Sequence, residues 1–472
     1  MTKIFSEQVI LGGISTPLEV TAAMIEISDG KISNITRCAR SDLPETVSDL
    51  GHAIISPAFI NSHTHLCMLA FRGIGGQSAL SHNVVKDLYF KLEENLLPED
   101  VYHFTRMGAL EALMTGTGTV WEHYYFGDAL VQALEDVGLC GAIAPTLQDL
   151  SGPGKNQTQK ALDETLALAE DHSRKKNGLV AVLGPHATDT VSDTLWRRIA
   201  ELATEYRLPI HSHLAQALDE VEWSWKNHSC SPMRRMHTLG ITKLEVPRLW
   251  VHGLFISKED LDGINSDLDY LGHCPSAQMQ FGFPAHVNSW RTKNLKVVLG
   301  TDSGSCNDGI NIQSELRFFG AADSYAVTMG DPLRKFRAEG SLKRAKQVQN
   351  ERQIIFDMRS PYVTPAKLLQ SVWSAAGDLH PELPAGAIEI GRLANILIWD
   401  PDHPCLWPNW DPLQSLAFNN ATPALCRMML RGQWLFDGEG YLANRIMQDE
   451  RIRVWQAAAS TSWKSLLKRA NL

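Results

Sequence analysis

The 472-residue chain contains no run of about 18 consecutive apolar residues, so its sequence predicts no membrane-spanning helix. Residues 1–7 lack the charged-then-apolar pattern of a signal peptide. An excess of positive charge is also missing, because 44 Lys and Arg stand against 53 Asp and Glu, for a net charge of −9. This balance provides no general attraction to nucleic acid or to an anionic membrane.

The eight cysteines are scattered, and none forms a C-x-x-C pair, which argues against a cysteine-based zinc site. A chain with 44% apolar residues and this length can bury a large core and does not need disulfides. Reduced thiols are the simpler interpretation, and we therefore expect a cytoplasmic protein. The sequence also has no internal repeat and no low-complexity tract.

Three regions differ in their predicted secondary structure. Residues 1–55 contain short strands, with a hairpin turn at residues 28–31. From residue 56 to 385, strands alternate with helical stretches, which implies a parallel sheet. We predict an α/β fold, with a (β/α)8 barrel over 56–385, a small β-sandwich composed of 1–55 and 386–445, and a C-terminal helix over 446–472.

The most informative motif is His63-Thr64-His65, which follows the apolar run of residues 53–60. An apolar run that ends in polar residues is typical of a buried strand that meets a loop. Because side chains alternate along a strand, both imidazoles point to the same side and can hold one metal ion. Two ordinary surface histidines are the alternative interpretation.

Three later β-rich runs also end in a His or an Asp. These candidate ligands are His211 and His213 in residues 208–214, His252 in residues 248–253, and Asp302 in residues 295–304. In a parallel barrel, all such strand ends converge on one face, where active sites lie. Together with the first motif, these side chains could surround one divalent ion.

As a set, these motifs resemble the amidohydrolase superfamily, in the branch of triazine hydrolases, guanine deaminase and methylthioadenosine/S-adenosylhomocysteine deaminases. The resemblance covers nearly the whole chain, and the segments that carry it are residues 57–65, 184–187, 211–215, 251–252, 272–276 and 299–308. The motifs are specific for the superfamily and much less specific for a substrate.

The resemblance implies one divalent metal ion, usually zinc, with iron as the alternative. The ligands that it implies are His63, His65, His213 and Asp302, with His213 favoured over His211. Bound zinc lowers the pKa of water from about 15.7 to about 7, so that hydroxide forms near neutral pH. That hydroxide attacks an electron-poor ring carbon bearing an amino group or a halide, and a carboxylate passes the proton to the leaving group.

The resemblance also implies roles for residues around the metal. Asp302 takes the proton of the water, and His252 is a general acid/base or an orienting group beside it. The positions expected to contact substrate are His186, His273, His123, Trp121 and Gln216. For His123, a hydrogen-bonded place on the pocket rim is an equal alternative. Further aromatic surface for a planar ring is offered by Phe71, Tyr89, Phe90, Tyr124 and Tyr125.

Gln216 departs from the pattern, because many deaminases of this branch carry Glu three residues after the fifth-strand ligand. Glutamine donates hydrogen bonds but cannot transfer a proton. The substrate ring must then be protonated from elsewhere, or it must not need protonation. Asp219 and Glu220 follow on a predicted helix, where we expect both on the surface.

The sequence therefore predicts a metal-dependent hydrolase of non-peptide carbon–nitrogen bonds that deaminates a triazine-, purine- or pterin-like heterocycle. A second interpretation is a hydrolase that releases halide or cleaves an amide-type C–N bond. A non-catalytic scaffold is the third, and the intact ligand set argues against it. The expected partner is a small heterocycle rather than nucleic acid or membrane, and the resemblance favours a homo-oligomer.

Overall fold

The computed structural model describes residues 2–74, 85–280, 282, 287, 290, 293–328, 331–359 and 364–472, without the side chains of 322–328, 331–332, 352 and 354–359. The strands are β1 (Thr2–Leu11), β2 (Glu19–Ser28), β3 (Lys31–Arg37), β4 (Ser48–Asp49), β5 (Ile54–Pro57), β6 (Phe59–His65), β7 (Thr117–Tyr124), β8 (Cys140–Leu147), β9 (Leu179–Ala181), β10 (Gly184–Pro185), β11 (Ile210–Leu214), β12 (Arg248–His252), β13 (Asp269–His273), β14 (Lys296–Leu299), β15 (Asp302–Ser303), β16 (Ile396–Trp399), β17 (Leu425–Leu430) and β18 (Gln433–Leu435).

The helices follow in the same order. They are α1 (Phe90–Glu93), α2 (Pro98–Met114), α3 (Gly127–Val137), α4 (Thr158–Glu170), α5 (His172–Lys176), α6 (Asp193–Tyr206), α7 (Leu218–His228), α8 (Pro232–Thr238), α9 (Lys258–Leu261), α10 (Pro275–Gln280), α11 (Ile312–Thr328), α12 (Asp331–Glu339), α13 (Leu342–Arg359), α14 (Pro365–Val372), α15 (Ser374–Gly377), α16 (Pro412–Phe418), α17 (Leu442–Gln448) and α18 (Glu450–Arg469). In the described part of the chain, no helix is long and apolar enough to cross a membrane.

Eight strand positions form a parallel barrel, with β9 and β10 sharing the fourth position and β14 and β15 the eighth. The first four positions pair in parallel, and so do β11 to β14. A bridge from Leu183 to Ile210 joins the two sets, and β15 pairs with β6. The predicted (β/α)8 barrel is therefore confirmed, and its strand ends share one face.

The helices around the barrel pack one apolar side against the strands, as α6 illustrates. The Ser192 hydroxyl accepts a hydrogen bond from the backbone N–H of Leu195 and caps the helix. Trp196, Ile199 and Leu202 recur at helical spacing and are buried, whereas the intervening positions are largely exposed. This amphipathic pattern places the helix outside the β11 strand that it precedes.

Both ends of the chain contribute to one further sheet, with the strand order β18-β17-β16-β5-β1-β2-β3 and with β4 beside β1. Its isoleucine-rich cluster is separate from the main core. The predicted boundary at residue 55 falls inside β5, which pairs with both β1 and β16. Residues 386–395 add two isolated bridges, from Ile388 and Leu393, rather than a full strand.

The C-terminal helical region begins at Leu442, four residues before the predicted start at residue 446. Asp449 separates α17 from α18, because its side chain caps α18 by accepting from the N–H of Arg451. Helix α18 packs on barrel helix α2. The Trp463 indole also donates to the carbonyl oxygen of Ala70 at 2.7 Å, just beyond the first barrel strand.

A buried ion pair ties β12 to β13 where both strands begin, at the end of the barrel opposite the face with the strand ends. Arg248 Nε lies 2.6 Å from Asp269 Oδ1, and both side chains are fully buried. The Trp250 indole donates to the same oxygen at 2.8 Å, and the backbone N–H of Asn265 donates to Oδ2 at 2.7 Å. Removal of one partner would leave the other charge buried and uncompensated.

We predict that Asp269→Ala lowers the free energy of unfolding by about 3–5 kcal/mol, because Arg248 loses its counter-charge. The shift of the urea denaturation midpoint, followed by circular dichroism, measures this loss. Asp262→Ala is the matched control, since it breaks an exposed pair with Lys293 and should leave the midpoint nearly unchanged. Equal midpoints for the two variants would contradict the importance of the buried pair.

Candidate active site

A cavity of about 480 Å³ lies where the barrel strands end. Its lining includes five histidines from four strands and one loop, and the Asp302 carboxylate of β15. Tyr89, Phe90, Tyr124 and Tyr125 add aromatic wall, as predicted for a planar ring, whereas Phe71 does not line the cavity. The volume suits a small molecule.

Three histidines present one nitrogen each to a common point, with His63 and His65 on β6 and His213 on β11. Their ligand atoms lie within 4.8 Å of one another. The other ring nitrogens are already occupied, because His65 Nδ1 donates to the carbonyl oxygen of His123, and His213 Nδ1 donates to that of His186 at 2.7 Å. These bonds fix the tautomers that leave each Nε2 as an acceptor.

His63, the third histidine of the group, contacts another histidine through its second ring nitrogen: His63 Nδ1 lies 2.8 Å from His211 Nε2. His63 Nε2 is buried and finds no hydrogen-bond partner in the described ranges. A cation would supply that partner if His63 Nδ1 donates to His211. The structure thus places His213 at the common point and His211 behind it, in agreement with the preference for His213.

Asp302 completes the group, with Oδ1 at 3.6 Å from His65 Nε2 and 3.9 Å from His63 Nε2. Donor atoms about 2.1 Å from one zinc ion lie roughly 3–4 Å from one another. The distances from Asp302 to His63 and His65 therefore fit one shared divalent ion, and Asp302 also lies within 4.8 Å of ligand atoms of His252 and Cys274. The backbone of Asp302 has φ 60°, a left-handed conformation that residues with a side chain seldom adopt outside functional sites.

Burial controls the charge of this group. It lowers the pKa of His65 to about 3 and that of His213 to about 4, so both imidazoles are neutral at pH 7. It raises the pKa of Asp302 to about 7. Neutral imidazoles are the form that binds metal, and a cation among them would favour the carboxylate form of Asp302.

His252 lies next to Asp302, with its Nε2 at 3.9 Å from Asp302 Oδ2. The side chain of Gln278, which the sequence did not single out, lies 3.1 Å from His252 Nδ1. If the amide nitrogen of Gln278 donates there, the remaining proton of the neutral ring is on Nε2 and faces Asp302. In this arrangement His252 can act as an orienting group or as a proton donor toward Asp302.

His186 and His123 line the cavity. His186 Nδ1 lies 3.0 Å from the Thr190 hydroxyl. His123 is fully buried, and neither of its ring nitrogens has a hydrogen-bond partner in the part of the chain that the structure describes. In this structure His123 is therefore a buried residue of the cavity wall rather than a hydrogen-bonded residue of the rim.

Two residues expected at the substrate lie elsewhere. Trp121 is buried against His211 and His380 and does not line the cavity, because it lies two residues before His123 and one layer deeper in the barrel. His273 packs against Phe319 and Trp290, and the described cavity wall does not include it.

The structure adds carboxyl groups that the sequence analysis missed. Glu220, expected on the surface, is 2% exposed and lines the cavity, whereas Asp219 is exposed at its mouth. Glu93 also lines the cavity, and burial raises its pKa to about 7. Glu122, directly before His123, accepts the backbone N–H of Leu66 with both oxygens and so holds the end of β6. The sequence signal for the Glu122 contact was the acidic residue directly before His123.

A (β/α)8 barrel whose strand ends bring H-x-H, a histidine and an aspartate around one cavity is the arrangement of a metal-dependent hydrolase. A model of the amidohydrolase family matches residues 54–435. The chain therefore belongs to the amidohydrolase family.

Comparison with characterised proteins agrees with this membership. The chain is 27% identical over 396 residues to a 5-methylthioadenosine/S-adenosylhomocysteine deaminase of Thermoanaerobacter pseudethanolicus, covering 83% of this chain and 84% of that protein. A zinc-bound adenosine deaminase from Xanthomonas campestris has a TM-score of 0.78 at 19% identity, with 98% of both chains covered. Atrazine chlorohydrolase from Arthrobacter aurescens, complexed with zinc, also has a TM-score of 0.78 at 19% identity, with 97% of this chain and 100% of that chain covered.

We predict that His213→Ala abolishes stoichiometric zinc binding, because it removes a donor atom. His211→Ala, the control two residues earlier on the same strand, should weaken zinc affinity by about 10–100-fold, since it removes only the partner that orients His63. Competition with a zinc chelator measures both affinities. A greater loss in His211→Ala than in His213→Ala would show that the ligand assignment is reversed.

Proposed function

We propose that this protein is a zinc-dependent aminohydrolase that releases ammonia from an amino-substituted N-heterocycle, with a purine-like ring as the first candidate. The observation that carries the proposal is the placement of three neutral imidazoles and Asp302 beside one cavity at the strand ends. The similarity to deaminases over most of the chain supports the reaction type.

His63, His65, His213 and Asp302 are the residues that would hold the metal ion. Zinc supplies a Lewis acid that lowers the pKa of water to about 7. The Asp302 carboxylate accepts a proton from the attacking water and returns it to the departing amine. His252, next to Asp302, orients the water through its Nε2–H.

The same cavity offers contacts for the ring. Phe90, whose ring centre lies 6.0 Å from that of His186, and Tyr124 give flat apolar surface for a planar heterocycle. The unpartnered nitrogens of His123 and the amide of Gln216 offer hydrogen bonds to ring nitrogens or to exocyclic groups. We assign these residues to substrate binding.

A second candidate function is displacement of halide or cleavage of an amide-type C–N bond in the same site. The observation that favours it is Gln216, which lines the cavity where a proton-transferring carboxyl is expected and cannot itself transfer a proton. A good leaving group needs less protonation than an amine does.

The homo-oligomeric state and the cytoplasmic location stay predictions. All eight cysteines lie in described segments and none is paired, which is compatible with a reducing compartment.

The first test is ammonia release from a panel of amino-substituted purines, pterins, pyrimidines and triazines by zinc-reconstituted protein. We expect at least one purine-type compound to be turned over, and removal of zinc by a chelator should stop ammonia release. Chloride release from chlorotriazines is followed in parallel. A fully zinc-loaded protein that releases chloride but no ammonia would replace deamination by the second candidate function.

We predict that Asp302→Asn abolishes turnover while the fold stays intact, because the amide cannot accept the proton of the water. Asparagine keeps the shape of the side chain, so the circular dichroism spectrum should not change. The kcat/KM of the variant relative to wild type and its zinc content are measured on the same sample. Near-wild-type kcat/KM in this variant would contradict the role of Asp302.

A further inference from the structure

We propose that Glu220 is the acid that protonates the ring nitrogen of the substrate during hydrolysis, in the position left without an acid by Gln216. The inference rests on the proposed deaminase function and adds a catalytic residue to it. Its basis is the placement of Glu220 at the cavity wall, on the first turn of α7, the helix that follows the His213 strand.

The reaction requires two proton deliveries. The oxygen of water forms a bond to the ring carbon, the C–NH2 bond breaks, and a carbonyl and ammonia result. The two protons of water end on the ring nitrogen and on ammonia, so an acid that protonates the ring nitrogen regains its proton when turnover is complete. Asp302 serves the departing amine, and the ring nitrogen needs a second group with an exchangeable proton.

The turn after β11 brings Glu220 to this place. Ala215 has φ 48°, a left-handed conformation that bends the chain directly after the strand. The backbone N–H of Gln216 then donates to Glu220 Oε2 at 2.9 Å. From the fourth-strand loop, the Thr188 hydroxyl donates to Glu220 Oε1. The carboxyl is thus fixed next to the strand end that presents His213.

Burial shifts this carboxyl toward its protonated form, against the hydrogen bonds from Thr188 and the Gln216 backbone, which lower its pKa. Burial raises the pKa of Glu220, and the negative charge of Asp189 raises it further. Asp189 forms an ion pair with Lys86 at 3.3 Å, on the outer side of the cavity. A carboxylic acid that is neutral near pH 7 can donate a proton, as a general acid must.

Two other carboxyl groups are weaker candidates. Asp219 is exposed to solvent at the start of α7. Glu93 is buried and lines the cavity, but it lies beside Tyr124 and Tyr125 at the end of the second strand rather than beside His213. A purely structural Glu220, which only holds the N–H of Gln216, is the remaining alternative.

The test uses zinc-loaded full-length protein and the best substrate of the ammonia panel. Glu220→Gln keeps the shape and an acceptor oxygen, and it should lower kcat/KM by about 100-fold or more with zinc content unchanged. Gln216→Glu, introduced into that variant, should restore at least about tenfold, because the new carboxyl supplies the missing proton. Glu222→Gln, an exposed position on the same helix, is the control and should keep the wild-type rate.

Gln216→Glu in the wild-type background tests the proposal without disturbing Glu220. If Glu220 already supplies the proton, the factor by which the added carboxyl changes kcat/KM should be at least about tenfold smaller here than in Glu220→Gln, so that the two substitutions are strongly non-additive. A gain near 100-fold would mean that the natural chain lacks an acid, and it would overturn the proposal. This variant decides the question if Glu220→Gln does not fold.

The remaining outcomes are also decisive. A loss in Glu220→Gln that Gln216→Glu does not repair would make Glu220 a structural residue. If Gln216→Glu restores kcat/KM in a Glu93→Gln variant but not in Glu220→Gln, Glu93 is the residue that supplies the proton. Wild-type protein that releases no ammonia contradicts the proposed function itself, whereas full ammonia release by Glu220→Gln contradicts this inference alone.

Discussion

Burial of ionisable side chains around one point is the constraint on which the rest of the site depends. His63, His65 and His213 are held neutral by their dry surroundings, and their lone pairs face one another and the Asp302 carboxyl. Without a positive charge at the centre, that carboxyl is disfavoured as an anion. A divalent cation satisfies the three nitrogens and the carboxylate together, which is why the arrangement is best understood as a metal centre.

A layer of fixed hydrogen bonds maintains this constraint. The carbonyl oxygen of His123, in the second barrel strand, and that of His186, just after the fourth, set the tautomers of His65 and His213. The ring of His211 contacts His63 Nδ1. The first two contacts join neighbouring strands and the third crosses the barrel from the fifth strand to the first, so the geometry of the donors is a property of the closed barrel and not of one segment.

Sequence periodicity predicted the barrel and the convergence of His63 and His65 with other strand-end residues on one face, whereas the choice of His213 over His211 came from the family resemblance. Periodicity did not predict how deeply each side chain lies within the barrel. Trp121 and His123 lie on the same side of β7, but only the latter reaches the cavity. The burial of Glu220 depends on the left-handed turn at Ala215 and on a hydrogen bond from Thr188 in another loop. A helical pattern in the sequence reveals neither of them.

The pairing that closes the barrel also has a consequence for the newly synthesised chain. Thr64 on the first strand donates to the carbonyl oxygen of Asp302, 238 residues later. At a synthesis rate of about 5–20 residues per second, the ribosome needs roughly 10–50 s to produce the partner of that apolar strand. During this interval one edge of β6 is unpaired, and a nascent chain with such an edge depends on chaperones or on rapid transient pairing to avoid aggregation.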